Sequence, residues 1–312
     1  MKNKFITTVV ATALALTMTF SLANGMDVKA AEITEDSLVA AEDTNVGNES
    51  VDIQQQEPVE ISELETTENN DLSKSSESIT VDESIAEDIL ATQADTAVVV
   101  GTVSDYLTAK GDAKLYNINL PAGVYLQAQL TTPANADLDY DLYLLDAEGN
   151  ILTGSDYYTY INGTAGTLPE ALGYITSGDT ATYYLYVLAS EGGSVSESFT
   201  LDYSVSTACD SYEIDESVRQ ALAFTYGAGG AYIESRNLSS PIDNDWYVIT
   251  VPSSRIYDKL KISATTASTN TCSVEVYQNV ASEGYQMKRV GSGNTISVSS
   301  GKYYIRVSNA KT

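Results

Sequence analysis

The stretch Asp137-Leu-Asp-Tyr-Asp-Leu-Tyr-Leu-Leu-Asp-Ala-Glu-Gly-Asn150 decides the fold class of this chain. From Leu138 to Tyr143 apolar and polar residues nearly alternate, as a half-buried strand requires, and Asp146 to Asn150 supplies turn residues before Ile151-Leu152 resumes the apolar pattern. It reads as a strand, a tight turn and a second strand.

Strands continue on both sides. Val98 to Val103 is rich in β-branched residues, Asp112 to Pro121 alternates imperfectly, and Val124 to Leu130 places Val124, Leu126, Ala128 and Leu130 on one face. Downstream, Gly154 to Gly166 reads as a polar, Tyr-bearing loop. Thr182 to Leu188 and Ser198 to Val205 read as two further strands joined through Gly192-Gly193 as a hairpin. The pattern then recurs. Asp243 to Pro252 lines up with Asp112 to Pro121, matching Asp243 to Asp112, Tyr247 to Tyr116, Ile249 to Ile118 and Pro252 to Pro121. Tyr277 stands for Tyr143, Glu283-Gly284 for Glu148-Gly149, and Tyr303-Tyr304 for Tyr183-Tyr184. These matches in one order define an internal repeat of about 130 residues.

Many short strands, frequent Gly and no helical pattern beyond Ser217 to Phe224 predict an all-β chain of two tandem antiparallel β-sandwiches, 98–207 and 208–312. The second unit has no counterpart of strand 198–205. Either the sequence is a fragment, or the second sandwich has an open edge that another segment must cover.

Composition narrows function. The chain has 312 residues with 43 acidic against 16 basic side chains and a net charge of −27, which repels nucleic acid phosphates and anionic lipid. Cationic polymers or divalent metals fit better. Without histidine there is no Ser-His-Asp or Cys-His nucleophile pair and no His-ligated zinc, and two cysteines build no thiolate cage. The chain reads as non-enzymatic.

Residues 1–30 have the form of a secretory signal: Lys2 and Lys4, an apolar run from Phe5 to Leu22, and Val28-Lys29-Ala30 as a small-residue cleavage pattern before Ala31. The expected location is extracellular, free or at the cell surface, with no membrane contact after signal removal. Residues 31–97 hold 19 acidic residues against the single Lys74 and no aromatic residue. Such a segment cannot offset roughly 1 to 2 kcal/mol of backbone entropy per residue and reads as a disordered acidic spacer.

The Asp137–Asp146 stretch with Gly149, the Asp243-Asn-Asp-Trp-Tyr247 strand and the two Tyr-Tyr strands resemble bacterial pre-peptidase C-terminal domains, a family that includes the collagen-binding domains of clostridial collagenases. The resemblance covers residues 101–312 in two copies and implies jelly-roll-like sandwiches appended to secreted enzymes or surface proteins. It also implies calcium held by an acidic lead-in and carboxylates beside the first strands. Here Glu213, Asp215 and Glu216 form the lead-in, and Asp243 and Asp245 precede or follow Asn244. Asp215 stands where the family usually has Asn. In the first unit Lys114 takes the place of Asp245, so no equivalent site is expected there.

Other candidates each have two readings. Asp137, Asp139 and Asp141 read as a metal or glycosidic carboxylate set, or as solvent-facing acids on a strand. Tyr157, Tyr158 and Tyr160, in the polar loop, are expected to contact a ligand, or else to pack. Cys209 and Cys272 could pair, which would be worth roughly 4 kcal/mol in the chain-entropy model, or remain free. The expected function is a secreted binding module for an extracellular protein or polysaccharide polymer, calcium-stabilised in its second unit. The alternative is an accessory or maturation region of a secreted peptidase.

Overall fold

The computed structural model describes residues 9–10, 16–23, 77–78, 97–161, 164–165, 168–207, 213–224, 231–236, 238–253, 259–266, 272–281, 285–292 and 295–309. The N-terminal region contributes β1 (Val9–Val10), β2 (Leu16–Ala23) and β3 (Glu77–Ser78). The first unit contains β4 (Ala97–Asp105), β5 (Ala113–Leu120), β6 (Tyr125–Thr131), β7 (Asp139–Leu145), β8 (Ile151–Ser155), β9 (Tyr158–Ile161), β10 (Thr164–Ala165), β11 (Glu170–Ile175), β12 (Ala181–Glu191) and β13 (Phe199–Ser206). The second contains β14 (Leu222–Phe224), β15 (Ala231–Arg236), β16 (Asn244–Val251), β17 (Lys259–Thr266), β18 (Cys272–Asn279), β19 (Gln286–Ser292), β20 (Thr295–Ser297) and β21 (Gly301–Asn309).

The all-β sandwich expectation holds. In the first unit the sheet β1-β4-β13-β6-β11 faces the sheet β3-β5-β12-β7-β8. Leu126, Ala128, Leu130, Leu172, Phe199 and Leu201 from one side meet Tyr116, Ile118, Leu142, Leu144, Leu185 and Val187 from the other. In the second unit the sheets are β15-β2-β17-β20 and β10-β9-β19-β18-β21-β16-β14, around Tyr247, Ile249, Leu260, Ile262, Val276, Ile305 and Val307. The opening stretch forms the expected hairpin of β7 and β8. Asp146 builds its turn: its side chain accepts from the amides of Glu148 at 3.0 Å and Asn150 at 2.8 Å, and Gly149 takes φ 88°.

The repeat is real in register. Tyr183 pairs with Ile118 and Tyr303 with Ile249, while Leu185 pairs with Tyr116 and Ile305 with Tyr247. One match is displaced. Leu144 lies opposite Leu185 and Val276 opposite Ile305, so the counterpart of Tyr143 is Glu275, and Tyr277 corresponds to Leu145. A two-residue slip keeps the same face of a strand, so alternation could not reveal it.

Three other expectations change. The strands either side of Gly192-Gly193 are not a hairpin: β12 and β13 lie in opposite sheets, and the segment arches between them. Ser217 to Phe224 is a single 3-10 turn, Val218–Gln220, followed by β14. The 154–166 loop contains β9 and β10, and β9 pairs in parallel with β19 of the second unit. Of the acidic spacer, residues 77–78 pair with β5, and nearly all the rest lies outside the described residues.

That parallel pairing joins the two sandwiches, and an aromatic seam lies beneath it. Tyr157 and Leu168 of the first unit pack with Val218, Trp246, Tyr277, Met287 and Tyr304 of the second. The Trp246 ring stands 6.3 Å from Tyr157 and 5.5 Å from Tyr277 by centroid. Arg219 clamps the rim with a two-pronged contact to Asp156, at 2.8 Å from Nε and 2.6 Å from Nη2, and lies over the Tyr285 ring. Trp246→Ala should therefore destabilise by about 3 to 5 kcal/mol, the range for a buried aromatic truncation. Urea unfolding followed by tyrosine fluorescence and by circular dichroism measures that loss.

Candidate metal centre

Five carboxylates converge where the second unit begins. The lead-in carries Glu213, Asp215 and Glu216, and the Trp246 amide donates to the Asp215 carbonyl at 2.9 Å, fixing the lead-in along the start of β16. Asp243 and Asp245 flank Asn244 at that same start. Asp243 is held by the turn before it, because its Oδ2 accepts from the Ser239 amide. The same turn occurs in the first unit, where Asp112 accepts from the amides of Thr108 at 2.9 Å and Ala109 at 3.1 Å. Asp245 Oδ2 accepts from the Tyr247 hydroxyl at 2.8 Å.

One carboxylate oxygen each from Glu213, Asp243 and Asp245 lie within 4.8 Å of one another, and so do those of Glu213, Asp215 and Glu216. Glu213 is common to both groups, so the five surround one region. Asp215, Glu216, Asp243 and Asp245 are each 1% exposed. The sequence-predicted metal residues are thus brought together, four of them buried and Glu213 half-buried.

The first sandwich closes the site. On β6 the residues alternating with the core face are Tyr125, Gln127 and Gln129, and all three are buried. The Tyr125 hydroxyl sits 2.7 Å from Glu213 Oε2 and also against Glu216 Oε1, its single proton shared between the two, while Gln127 Nε2 donates to Glu216 Oε1 at 2.9 Å. Gln127 is itself oriented by Ser204, whose hydroxyl donates to its Oε1 at 3.2 Å. Asn244 Nδ2 donates to Gln129 Oε1 at 3.1 Å, and its own Oδ1 accepts from Arg306 Nε at 2.8 Å. Gly173, paired with Gln127 across β11 and β6, leaves room for the Glu216 carboxylate, which any Cβ at that position would strike. Sequence reasoning missed these first-unit residues. Their only signal was a polar face on β6, which alternation assigns to solvent.

Burial pushes the Glu216 carboxyl well above its ordinary range, and the charges of Asp243 and Asp245 push it further. Its Oε2 is buried and has no hydrogen-bond donor among the described residues. A charged carboxylate in such a place costs several kcal/mol unless something neutralises it. The donor set is all oxygen and all carboxylate, which suits a hard divalent cation; calcium takes about six to eight oxygens at flexible geometry. The residues therefore fit calcium.

A second acidic group sits on β7 and its neighbours. Asp141 accepts from Tyr143 at 3.2 Å and from Ser190, Glu170 accepts from Ser155 and from the Tyr157 amide, and Asp156 holds Arg219. Asp141, expected to face solvent, is buried, because the outer face of β7 carries its own apolar layer of Tyr143, Leu145 and Tyr184. Asp139 is half-buried. Of these carboxylates, Asp156 carries the rim clamp. Lys114, at the position of Asp245, pairs with Asp105 at 2.8 Å.

Of the two readings given for the tyrosines, Tyr157 takes the packing one: it is 2% exposed in the seam and donates to the Pro169 carbonyl. Tyr158 is half-buried, with its hydroxyl 3.3 Å from the Ala136 carbonyl oxygen, and the Tyr160 side chain lies outside the described residues. Cys272 carries a free thiol, and Cys209 lies outside the described residues.

No family model matches this chain, and no curated protein matches it. Among solved structures it is similar to a periplasmic inhibitor of g-type lysozyme from Aeromonas hydrophila, at 12% identity and a TM-score of 0.24, over 34% of this chain and 85% of that one. It is also similar to the pre-peptidase C-terminal domain of a collagenase from Bacillus anthracis, at 14% identity and a TM-score of 0.23, over 34% of this chain and 87% of that one. At those values neither neighbour carries a family or a function over to this chain. Among the described residues, no helix is long and apolar enough to cross a membrane.

The β7 acids make stability depend on pH in a definite direction. Burial, then the charges of Asp141, Glu191 and Asp156, raise Asp139 to about 7, and burial, then the charge of Asp156, raises Asp141 to about 6. Groups raised on folding lose their contribution as pH rises, because the unfolded chain releases those protons first. In EDTA, urea stability should fall between pH 4 and pH 7. Asp139→Asn and Asp141→Asn should each flatten that slope, which unfolding curves at half-unit pH steps would show.

Proposed function

We propose that this chain is a secreted, non-catalytic β-sandwich binding module whose Glu213, Asp215, Glu216, Asp243 and Asp245 hold a calcium ion where its two sandwiches meet. The observation that carries this reading is Glu216. It is a fully buried carboxylate with one oxygen lacking any donor among the described residues, and it faces two further buried acids. A divalent cation there would offset part of the cluster's negative charge. The ion would also join the sandwiches, because Tyr125, Gln127 and Gly173 belong to the first while Asp243 and Asp245 belong to the second.

The fused pair then serves to recognise an extracellular protein or polysaccharide. The secretory pattern of residues 1–30 supports the location, and the absence of histidine together with a net charge of −27 supports binding over catalysis and disfavours nucleic acid. The motifs that resemble pre-peptidase C-terminal domains support the same class.

Calorimetric titration of the full chain with calcium should show saturable heat that Asp243→Ala and Asp245→Ala each abolish. Calcium at about 100 times its Kd should add about 2.7 kcal/mol of stability, seen as a melting shift of several degrees. Glu216→Gln should behave in two ways at once: weaker calcium binding, and a higher melting temperature in EDTA at pH 8, since a buried charge has been removed. No heat and no melting shift, or a shift that persists in Asp245→Ala, would overturn the metal reading. Co-sedimentation with insoluble collagen and with polysaccharide, in calcium and in EDTA, tests the recognition half.

A further inference from the structure

The four central strands of each sheet correspond between the two sandwiches, and one of them comes from an unexpected part of the chain. The sheet β5-β12-β7-β8 corresponds to β16-β21-β18-β19, and β4-β13-β6-β11 corresponds to β15-β2-β17-β20. The position that β13 fills in the first unit is filled in the second by β2, from the far N-terminal region. In the first unit β13 follows directly after β12 in the chain. Leu16–Ala23 reaches its place across more than two hundred residues.

The pairing is full along β17 and covers the first half of β2 along β15, with one register shift between Ile233 and Arg236. β2 runs antiparallel to β17 from Leu16 opposite Thr266 to Ala23 opposite Lys259, and antiparallel to β15 with Phe20 opposite Ala231. β13 is likewise antiparallel to both its neighbours. The letters agree as well as the topology. β13 reads Phe-Thr-Leu-Asp-Tyr-Ser-Val-Ser and β2 reads Leu-Thr-Met-Thr-Phe-Ser-Leu-Ala, each with four large apolar residues alternating with mostly small polar ones. In β13 those four, Phe199, Leu201, Tyr203 and Val205, line the first core. The floor of the second position is equally apolar, since Leu260 and Ile262 of β17 are buried and pack with Ile296 and Val298.

We propose that the space between β15 and β17 is a strand-acceptor site, shut by residues 16–23 in the unprocessed chain and filled after processing by an extended segment of a partner protein. The occupant is an eight-residue strand with large apolar residues at alternate positions and small uncharged ones between. Removal of the segment before Ala31 withdraws β2. That leaves two rows of backbone donors and acceptors unpaired and the apolar floor bare, and a free strand of the right period satisfies both at once. The proposal rests on the secretion reading for the cleavage step and is independent of calcium.

Hydrogen exchange on the full chain, with calcium present throughout, tests it. The amides of 231–236 and 259–266 should be protected, and Thr19→Pro, which breaks the ladder in the middle of β2, should lower their protection by about 100-fold or more. Amides of β5 and β12 should stay protected, showing that the first sandwich is intact. A synthetic peptide of residues 16–23 added in trans should restore protection at 231–236 and 259–266, whereas a peptide of the same composition with its apolar residues clustered should not. If Thr19→Pro unfolds the second sandwich, the peptide supplied during refolding should recover the Trp246 fluorescence of the full chain. Unchanged exchange in Thr19→Pro, or no recovery with the alternating peptide in either format, overturns the proposal. Calcium calorimetry on the same variant reports separately on the metal site.

Discussion

A single carboxylate held away from water constrains the junction of this molecule. Glu216 lies between β6 of the first sandwich and the start of β16 in the second, with two neutral donors on one oxygen and none on the other among the described residues. Hydrogen bonds from Tyr125 and Gln127 orient it, but they do not neutralise the charge that burial and Asp243 and Asp245 oppose. A counter-charge would relieve that conflict, and the two three-carboxylate groups that share Glu213 offer the oxygen donors a hard cation takes. Packing alone does not resolve this conflict. Trp246 and its aromatic neighbours bring the two halves together, and the same approach drives the acids out of solvent.

Two-sided burial is the common theme. A strand in an isolated sandwich packs one face and wets the other, yet β6 buries Leu126, Ala128 and Leu130 on its inner face and Tyr125, Gln127 and Gln129 on its outer face. The outer face of β7 likewise lies under an apolar layer of Tyr143, Leu145 and Tyr184. Polar residues on these outer faces are hydrogen-bonded to partners from distant segments: Gln127 to Ser204 and Glu216, Asp141 to Ser190 and Tyr143. The polar alternation therefore marks the joining surface of a larger body, in which the polar face is satisfied by protein in place of water.

Legibility from sequence followed the range of each interaction. The β7–β8 hairpin was readable because Asp146, Gly149 and Asn150 carry their own turn geometry within five residues. The five acids were readable because they fall in two short runs, and their mutual approach follows once the lead-in lies along β16. Tyr125, Gln127 and Gly173 were not readable as part of the same site, since nothing local distinguishes them from an ordinary polar face. Tyr157 was left between two readings for a related reason: a tyrosine among Gly and Asn reads as a loop side chain until Trp246 arrives from the other unit. The strands around Gly192-Gly193 were misjoined because a hairpin and an arch between sheets share the same turn residues.

Composition, alternation and repetition by themselves determined an all-β chain of two related sandwiches and the acids that gather at the second. Those properties are local or periodic, and period two survives any choice of partner. Which strands pair, which outer faces are covered, which tyrosines are core and which first-unit residues complete the acidic centre were decided only by tertiary structure. Each depends on segments far apart in the chain, whose meeting is selected by the summed burial of both sandwiches and is invisible in either segment alone.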